Sequence, residues 1–305
     1  MHIDAVFRTL GTIETEILTF YEQEKIFRST LDMIHHQVKD IRRTLANITE
    51  NSYEKEIVIG SISREIEILN NLVKAITSKN NSNPRILTQE ILEIVTESYS
   101  IDLFLAESDI QLSSLVVYHY KEGNELTFFL LYPALGYLNT DRIGLIAHEA
   151  SHVHKIIEKY TGSIKSEKRK IGESLADILG LYVAGPLFAH SLSYIILSDI
   201  GIDHLSEIHE YHPSWMARVI VLHHVSSGLW KTTVFRRVIH HSLDSVLQAG
   251  SPLPSEDLLI AKCMREHDRY VKEFSKFKLE EKRIVSFKNE ESDSLLYRLN
   301  THYVR

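Results

Sequence analysis

From Val6 to Ile48 apolar side chains recur in alternating steps of three and four: Val6, Leu10, Ile13, Ile17, Phe20, Phe27, Leu31, Ile34, Val38, Ile41, Leu45 and Ile48, with Glu24 as the polar exception. That period puts the series on one stripe of a helix, and so long a stripe must be buried against another helix. A second seam, Ile59, Ile62, Ile66, Leu69, Val73 and Ile76, follows Asn51-Ser52. The simplest solution is an antiparallel hairpin of long helices over residues 5–77 with the two seams packed on each other. Docking of the seam on the rest of the chain, on a protein partner or on a second copy stays open. Ser78-Lys79-Asn80-Asn81-Ser82-Asn83-Pro84 is polar and ends on proline, which marks a linker.

Beyond the linker the period changes. Ile86 to Val95 reads as a short helix. Leu115 to Tyr120 and Leu126 to Tyr132 read as strands joined by a turn at Lys121-Glu122-Gly123-Asn124. The expected fold class is α+β, predominantly α, with a small antiparallel sheet.

The chemistry begins at His148-Glu149-Ala150-Ser151-His152, an H-E-x-x-H string in apolar surroundings. Imidazoles at i and i+4 share one helical face and can reach one metal ion, while Glu149 can take a proton from a water on that metal. Asn139-Thr140-Asp141 is the expected cap of this helix, which would run to about Tyr160. A catalytic zinc ion takes three protein ligands and keeps one position open. Glu173, within Gly172-Glu173-Ser174-Leu175-Ala176-Asp177, supplies the third ligand on a second helix. Asp177 lies one turn further on the same face, where its carboxylate can accept the spare N–H of a ligand imidazole and fix its orientation. A third histidine six residues after the second fails as an alternative: that position is Glu158, and the glycine it would need is Lys155. The candidate centre is therefore one zinc ion per chain on His148, His152 and Glu173.

The same residues carry a family resemblance. His148-Glu149-x-x-His152 followed by Glu173-x-x-Ala176-Asp177 resembles the gluzincin metallopeptidases, and His212-Pro213-x-x-x-x-Arg218 resembles the corresponding element of the CAAX prenyl protease/HtpX-like family. The likeness spans roughly residues 140–225, about a quarter of the chain. It implies zinc on His148, His152 and Glu173, Glu149 as general base, and His212 or Arg218 facing the substrate or the transition state. Two features depart from that family: no segment here is long and apolar enough to span a bilayer, and the interval from His152 to Glu173 is closer to soluble thermolysin-like enzymes. The expected activity is peptide-bond hydrolysis by a metal-activated water. His212 is the first candidate to stabilise the oxyanion, with Tyr211 and Arg218 behind it; Arg218 could instead pair with a buried carboxylate. Pro213 would start the next helix and so set His212 at its N-terminus.

The domain division expected is a helical hairpin over 1–80, a zincin-like metallopeptidase domain over 85–250 and a C-terminal helical extension over 251–305 packed on it. A net charge of −7 gives no basic footprint for nucleic acid. Leu126 to Leu138, the longest apolar stretch, is interrupted by Thr127 and Pro133 and is too short for a membrane. The single Cys263 and a start without a signal-peptide pattern suit the cytoplasm. Lys165, Lys168, Arg169 and Lys170 read as a basic loop, and the pairs His35-His36, His223-His224 and His240-His241 as ordinary histidines, because neighbours on a helix point about 100° apart. The alternative to a peptidase, whose partner is a peptide or protein substrate, is a partner-binding helical protein with a structural or latent zinc site, restrained or activated by another protein.

Overall fold

The computed structural model describes residues 3–23, 28–46, 58–63, 65–66, 68–70, 73, 83–96, 99–108, 116–133, 143–230, 234–250 and 254–278. They belong to two compact units, Met1–Gln89 with Ser98–Tyr137, and Glu90–Glu97 with Leu138–Arg305. The class is α+β and predominantly α, as the residue pattern requires.

In the first unit, α1 (Ile3–Gln23) and α2 (Arg28–Ala46) divide the long first seam between them. Glu24, the polar exception, falls between the two helices, outside the described residues. Leu10, Ile13 and Ile17 of α1 and Leu31, Ile34, Val38, Ile41 and Leu45 of α2 are all buried, in one core with Ile62, Ile66, Leu69 and Val73 from the second seam. The first seam thus folds back on itself before the second joins it, where the period alone suggested one unbroken helix. An ion pair from Arg42 Nη2 to Glu14 Oε2 at 2.7 Å ties α1 to α2.

The same unit holds the sheet: β1 (Ser100–Ser108), β2 (Val116–Glu122) and β3 (Glu125–Pro133) in the order β1-β3-β2. Strands β2 and β3 form the expected antiparallel hairpin around Gly123-Asn124, with Gly123 at a φ of 56° as a two-residue hairpin turn requires. The sheet is mixed rather than antiparallel, because β1 pairs with β3 in parallel, Ser100 opposite Glu125. Leu126 to Leu130 on the central strand are buried, the continuous burial that a strand flanked on both edges needs. Phe104 of β1 and Phe129 of β3 stack with ring centroids 5.0 Å apart and belong to the helical core. The sheet therefore groups with the N-terminal helices, not with the H-E-x-x-H segment, so the compact units divide differently from boundaries at 80 and 250.

Helix α3 (Asn83–Thr96) leads into the second unit, whose regular elements among the described residues are all helices. There α4 (Ile146–Ser151), α5 (Lys155–Thr161), α7 (Pro186–Ile195), α8 (Trp215–Leu229) and α10 (Asp257–Phe274) all contact α6 (Ser166–Ala184). From Ser174 to Ala184 every residue of α6 is buried, the signature of a central helix packed on all sides. Helix α9 (Val234–Leu247) packs on α7 and α8. The basic stretch Lys168-Arg169-Lys170 is the opening of α6 rather than a loop. Helix α10 docks through Tyr182 and His267, whose hydroxyl and Nε2 lie 3.0 Å apart, and through Tyr160, which donates to Glu266 at 2.6 Å. Residues 279–305 of the C-terminal extension lie outside the described residues. Among the described residues no helix is long and apolar enough to cross a membrane.

Candidate metal centre

The H-E-x-x-H segment starts as a 3-10 turn, Ile143–Leu145, seated by the Gly144 N–H donating to Ser191 Oγ at 3.0 Å. The expected cap, 139–141, lies outside the described residues. Helix α4 is short: it stops at Ser151 instead of running to Tyr160. The Ser151 hydroxyl donates back to the Ala147 carbonyl at 2.6 Å, a bond that bends helices. Next, the amides of His152, Val153 and His154 bond three residues back, to Glu149, Ala150 and Ser151. His154 then turns extended, with φ −72° and ψ 129°, and its Nδ1 accepts from the Ile156 amide to open α5. His152 keeps helical dihedrals at the C-cap, so the break comes after the second histidine and leaves the i, i+4 relation intact.

Two glycines let the central helix come close. A Cβ on Gly172 would lie 2.8 Å from Thr161 Cγ2 and 3.0 Å from its amide, and one on Gly180 would lie 3.2 Å from the His148 amide. Helix α6 therefore approaches α5 and α4 at backbone distance, with Glu173 and Asp177 between those contacts.

Three potential ligand atoms converge there. His148 Nε2 and His152 Nε2 are 3.1 Å apart, and Glu173 Oε2 lies 3.3 Å from the first and 3.6 Å from the second. Bonds of ~2.0–2.1 Å at tetrahedral angles set ligand atoms ~3.3–3.4 Å apart, so all three edges match a tetrahedral zinc site. Three lone-pair donors aimed at one point repel each other unless a cation or shared proton lies between them. His148 is buried, and His152 and Glu173 are half-buried.

Asp177, 1% exposed, organises the triangle from behind. Its Oδ1 accepts from His148 Nδ1 at 2.7 Å, which puts that ring's proton on Nδ1 and turns the Nε2 lone pair toward the cluster. The same carboxylate takes a two-pronged contact from Arg218, Nε to Oδ2 at 2.6 Å and Nη2 to Oδ1 at 2.7 Å. The guanidinium also lies over the Trp215 ring, 4.4 Å from its centroid. Arg218 thus takes the role of pairing with a buried carboxylate. Although burial opposes ionisation of Asp177, Arg218 and His148 hold its carboxyl well below the usual range.

Charge follows from this geometry. Burial disfavours the charged form of His148, but Asp177 and Glu173 override it and lift the imidazole to about 10. Burial likewise opposes ionisation of Glu173, and the two histidines bring it down to about 2. Raised above 6.5, the folded-state value means His148 contributes stability fully below about pH 6.5 and loses that contribution as pH rises through about 10. A proton and a metal ion compete for the same Nε2. Zinc affinity in chelator-buffered solution should therefore climb from pH 6 to 9 by up to about tenfold per unit. A flat profile over that window would contradict ligation by His148.

Glu149 is half-buried beside this cluster. Burial pushes its carboxyl up to about 7; Glu173 and Asp177 add to the shift, while His148 and Arg218 oppose it. His212 is exposed, yet the charges of Glu173, Arg218, His148 and Asp177 all reach it, and partial desolvation lowers its pKa. Tyr211 is 40% exposed, with Arg169 stacked 4.4 Å from its ring centroid. Pro213 does not start α8. Ser214 is the N-cap, accepting from the Ala217 amide at 3.1 Å, and helical residues begin at Trp215. Buried Glu256 fixes that cap, accepting from the Ser214 amide at 2.9 Å and from its hydroxyl. It thereby sets both the approach of His212 and the start of the helix carrying Arg218. Glu256 had no signal in the residue pattern, since it lies 42 positions from the serine it holds.

The chain matches no protein-family model, no curated protein and no solved structure.

Proposed function

We propose that the chain is a zinc-dependent metalloendopeptidase of the gluzincin type, with His148, His152 and Glu173 as ligands and Glu149 as general base. The observation that carries this is the triangle of ligand atoms with edges of 3.1, 3.3 and 3.6 Å beside a half-buried carboxylate. Two imidazoles and one carboxylate are a known catalytic zinc set, whereas closed structural sites use four protein ligands. A bound zinc ion would supply Lewis acidity to a scissile carbonyl and lower the pKa of water.

The protein's own groups do the rest. Glu149, pushed up to about 7, sits where a general base works best, near the operating pH, and can carry the water proton to the leaving amine. Asp177 holds the His148 ring in one tautomer, and Arg218 keeps Asp177 ionised and oriented. His212 is the donor assigned to the developing oxyanion, because its charge reaches Glu173 and its side chain is exposed to an incoming substrate. Losing one such donor costs about 3 kcal/mol of transition-state stabilisation. Tyr211 is placed second, since Arg169 occupies its ring face. The lone, buried Cys263 suits a cytoplasmic setting.

The test is hydrolysis of a mixed fluorogenic peptide library by zinc-loaded protein. Cleavage that a chelator removes and added zinc restores is expected. Zinc-loaded, folded protein that cleaves nothing in such a library would count against the reading.

A further inference from the structure

A second convergence of ligating groups lies on the other side of α8. His223, on α8, faces His240 and Asp244, which stand one turn apart on α9. His223 Nε2 is 3.1 Å from Asp244 Oδ1, and the two imidazole rings are 4.2 Å apart at 50°. One ring nitrogen from each histidine and one oxygen of Asp244 all lie within 4.8 Å of each other, with every residue half-buried.

The protons can be counted. Ser226 Oγ donates to the His223 carbonyl at 2.8 Å, and Ser227 Oγ donates to the same carbonyl at 3.1 Å. A hydroxyl has one proton, so both serine oxygens are left as acceptors toward His240 Nε2, at 3.1 and 3.2 Å. With both serine protons on that carbonyl, the ring proton of His240 belongs on Nε2 and the lone pair on Nδ1. An imidazole whose far N–H is anchored by outer acceptors, with the other nitrogen left to coordinate, is how ligand histidines are held. A plain ion pair between His223 and Asp244 would need neither the second imidazole nor its fixed tautomer.

From this geometry we propose that His223, His240 and Asp244 form a second divalent-cation site that bridges α8 and α9. Two imidazoles and a carboxylate select an ion of the zinc class rather than calcium or magnesium, which take oxygen ligands. The His223–Asp244 edge already matches the ~3.3 Å spacing of a tetrahedral site, and half-buried side chains can close the remaining edges by small rotations. The site stands whether or not the first centre is catalytic.

Equilibrium dialysis of the full-length protein against zinc, with the metal counted per chain, tests it. The parent should bind two ions. The double variant His148→Gln/Glu173→Gln should keep one, because the second site is untouched. Asp244→Asn and His223→Gln, each in that background, should weaken the remaining site about 100-fold or more, since loss of an outer partner alone costs ~10–100-fold. Ser226→Ala/Ser227→Ala should weaken it about 10-fold while far-ultraviolet circular dichroism stays that of the parent. No zinc in the double variant, or an affinity unaltered by Asp244→Asn and His223→Gln in that background, would each overturn the proposal; one ion in both parent and double variant would count against the first centre alone.

Discussion

Replacing Arg218 by alanine is expected to destabilise the protein by about 3–5 kcal/mol, the cost of leaving a buried charge without its partner. Asp177 is 1% exposed and Arg218 7% exposed, and two of the carboxylate's three close contacts come from the guanidinium. Water cannot take their place without opening the core beside α6. For a folding unit of this size the loss corresponds to a fall of roughly 6–20 °C in Tm. Asp177→Asn alone should also destabilise, and the double variant should lose less than the sum, because the two side chains act as one unit. Thermal or urea denaturation checks both statements. If Arg218 served only to touch substrate, Arg218→Ala would fold as stably as the parent and lose turnover alone.

Glu149→Gln is expected to lower turnover by ~10²–10⁴-fold, the range that general acid–base groups contribute. Glutamine keeps the shape of the side chain and contributes no ligand to the triangle, so zinc content should stay that of the parent. A base works only when deprotonated, so parent activity should fall as pH drops through the group's value, about 7 before a nearby cation pulls it lower. The acidic limb of kcat/KM should disappear in Glu149→Gln, leaving a low, flat profile. Turnover equal to the parent's with full zinc would remove Glu149 from the chemistry.

Much of this centre was legible because helical periodicity does the geometry. His148 and His152 had to share a face, and so did Glu173 and Asp177, and contact between their two helices brings the pairs together. The bend at Ser151–His154 carried no signal, since neither glycine nor proline marks it; a serine hydroxyl bonding back along its own helix does the work. In the sheet, the hairpin was written in its turn residues. The parallel pairing of Ser100–Ser108 depends on a crossover between distant segments and left no local trace.

Partners from separate helices were the hardest to read. Neighbouring histidines diverge on one helix, which is true of His223-His224 and of His240-His241. That reasoning is silent about His223 meeting His240 across an interface, where the packing of α8 on α9 decides. Arg218 was legible as one of two alternatives, and burial of Asp177 selected between them. For the seam residues whose burial is described, Leu10 to Ile17 and Leu31 to Leu45, the period was right about which are buried and wrong about continuity, because a period gives the face of a helix and not where the chain turns back.

Diffraction from zinc-soaked crystals at the zinc absorption edge is the most direct measurement. An anomalous peak about 2.0–2.1 Å from His148 Nε2, His152 Nε2 and a Glu173 carboxylate oxygen is the expected result. No peak among those three side chains, with zinc in excess and the protein folded, would contradict it.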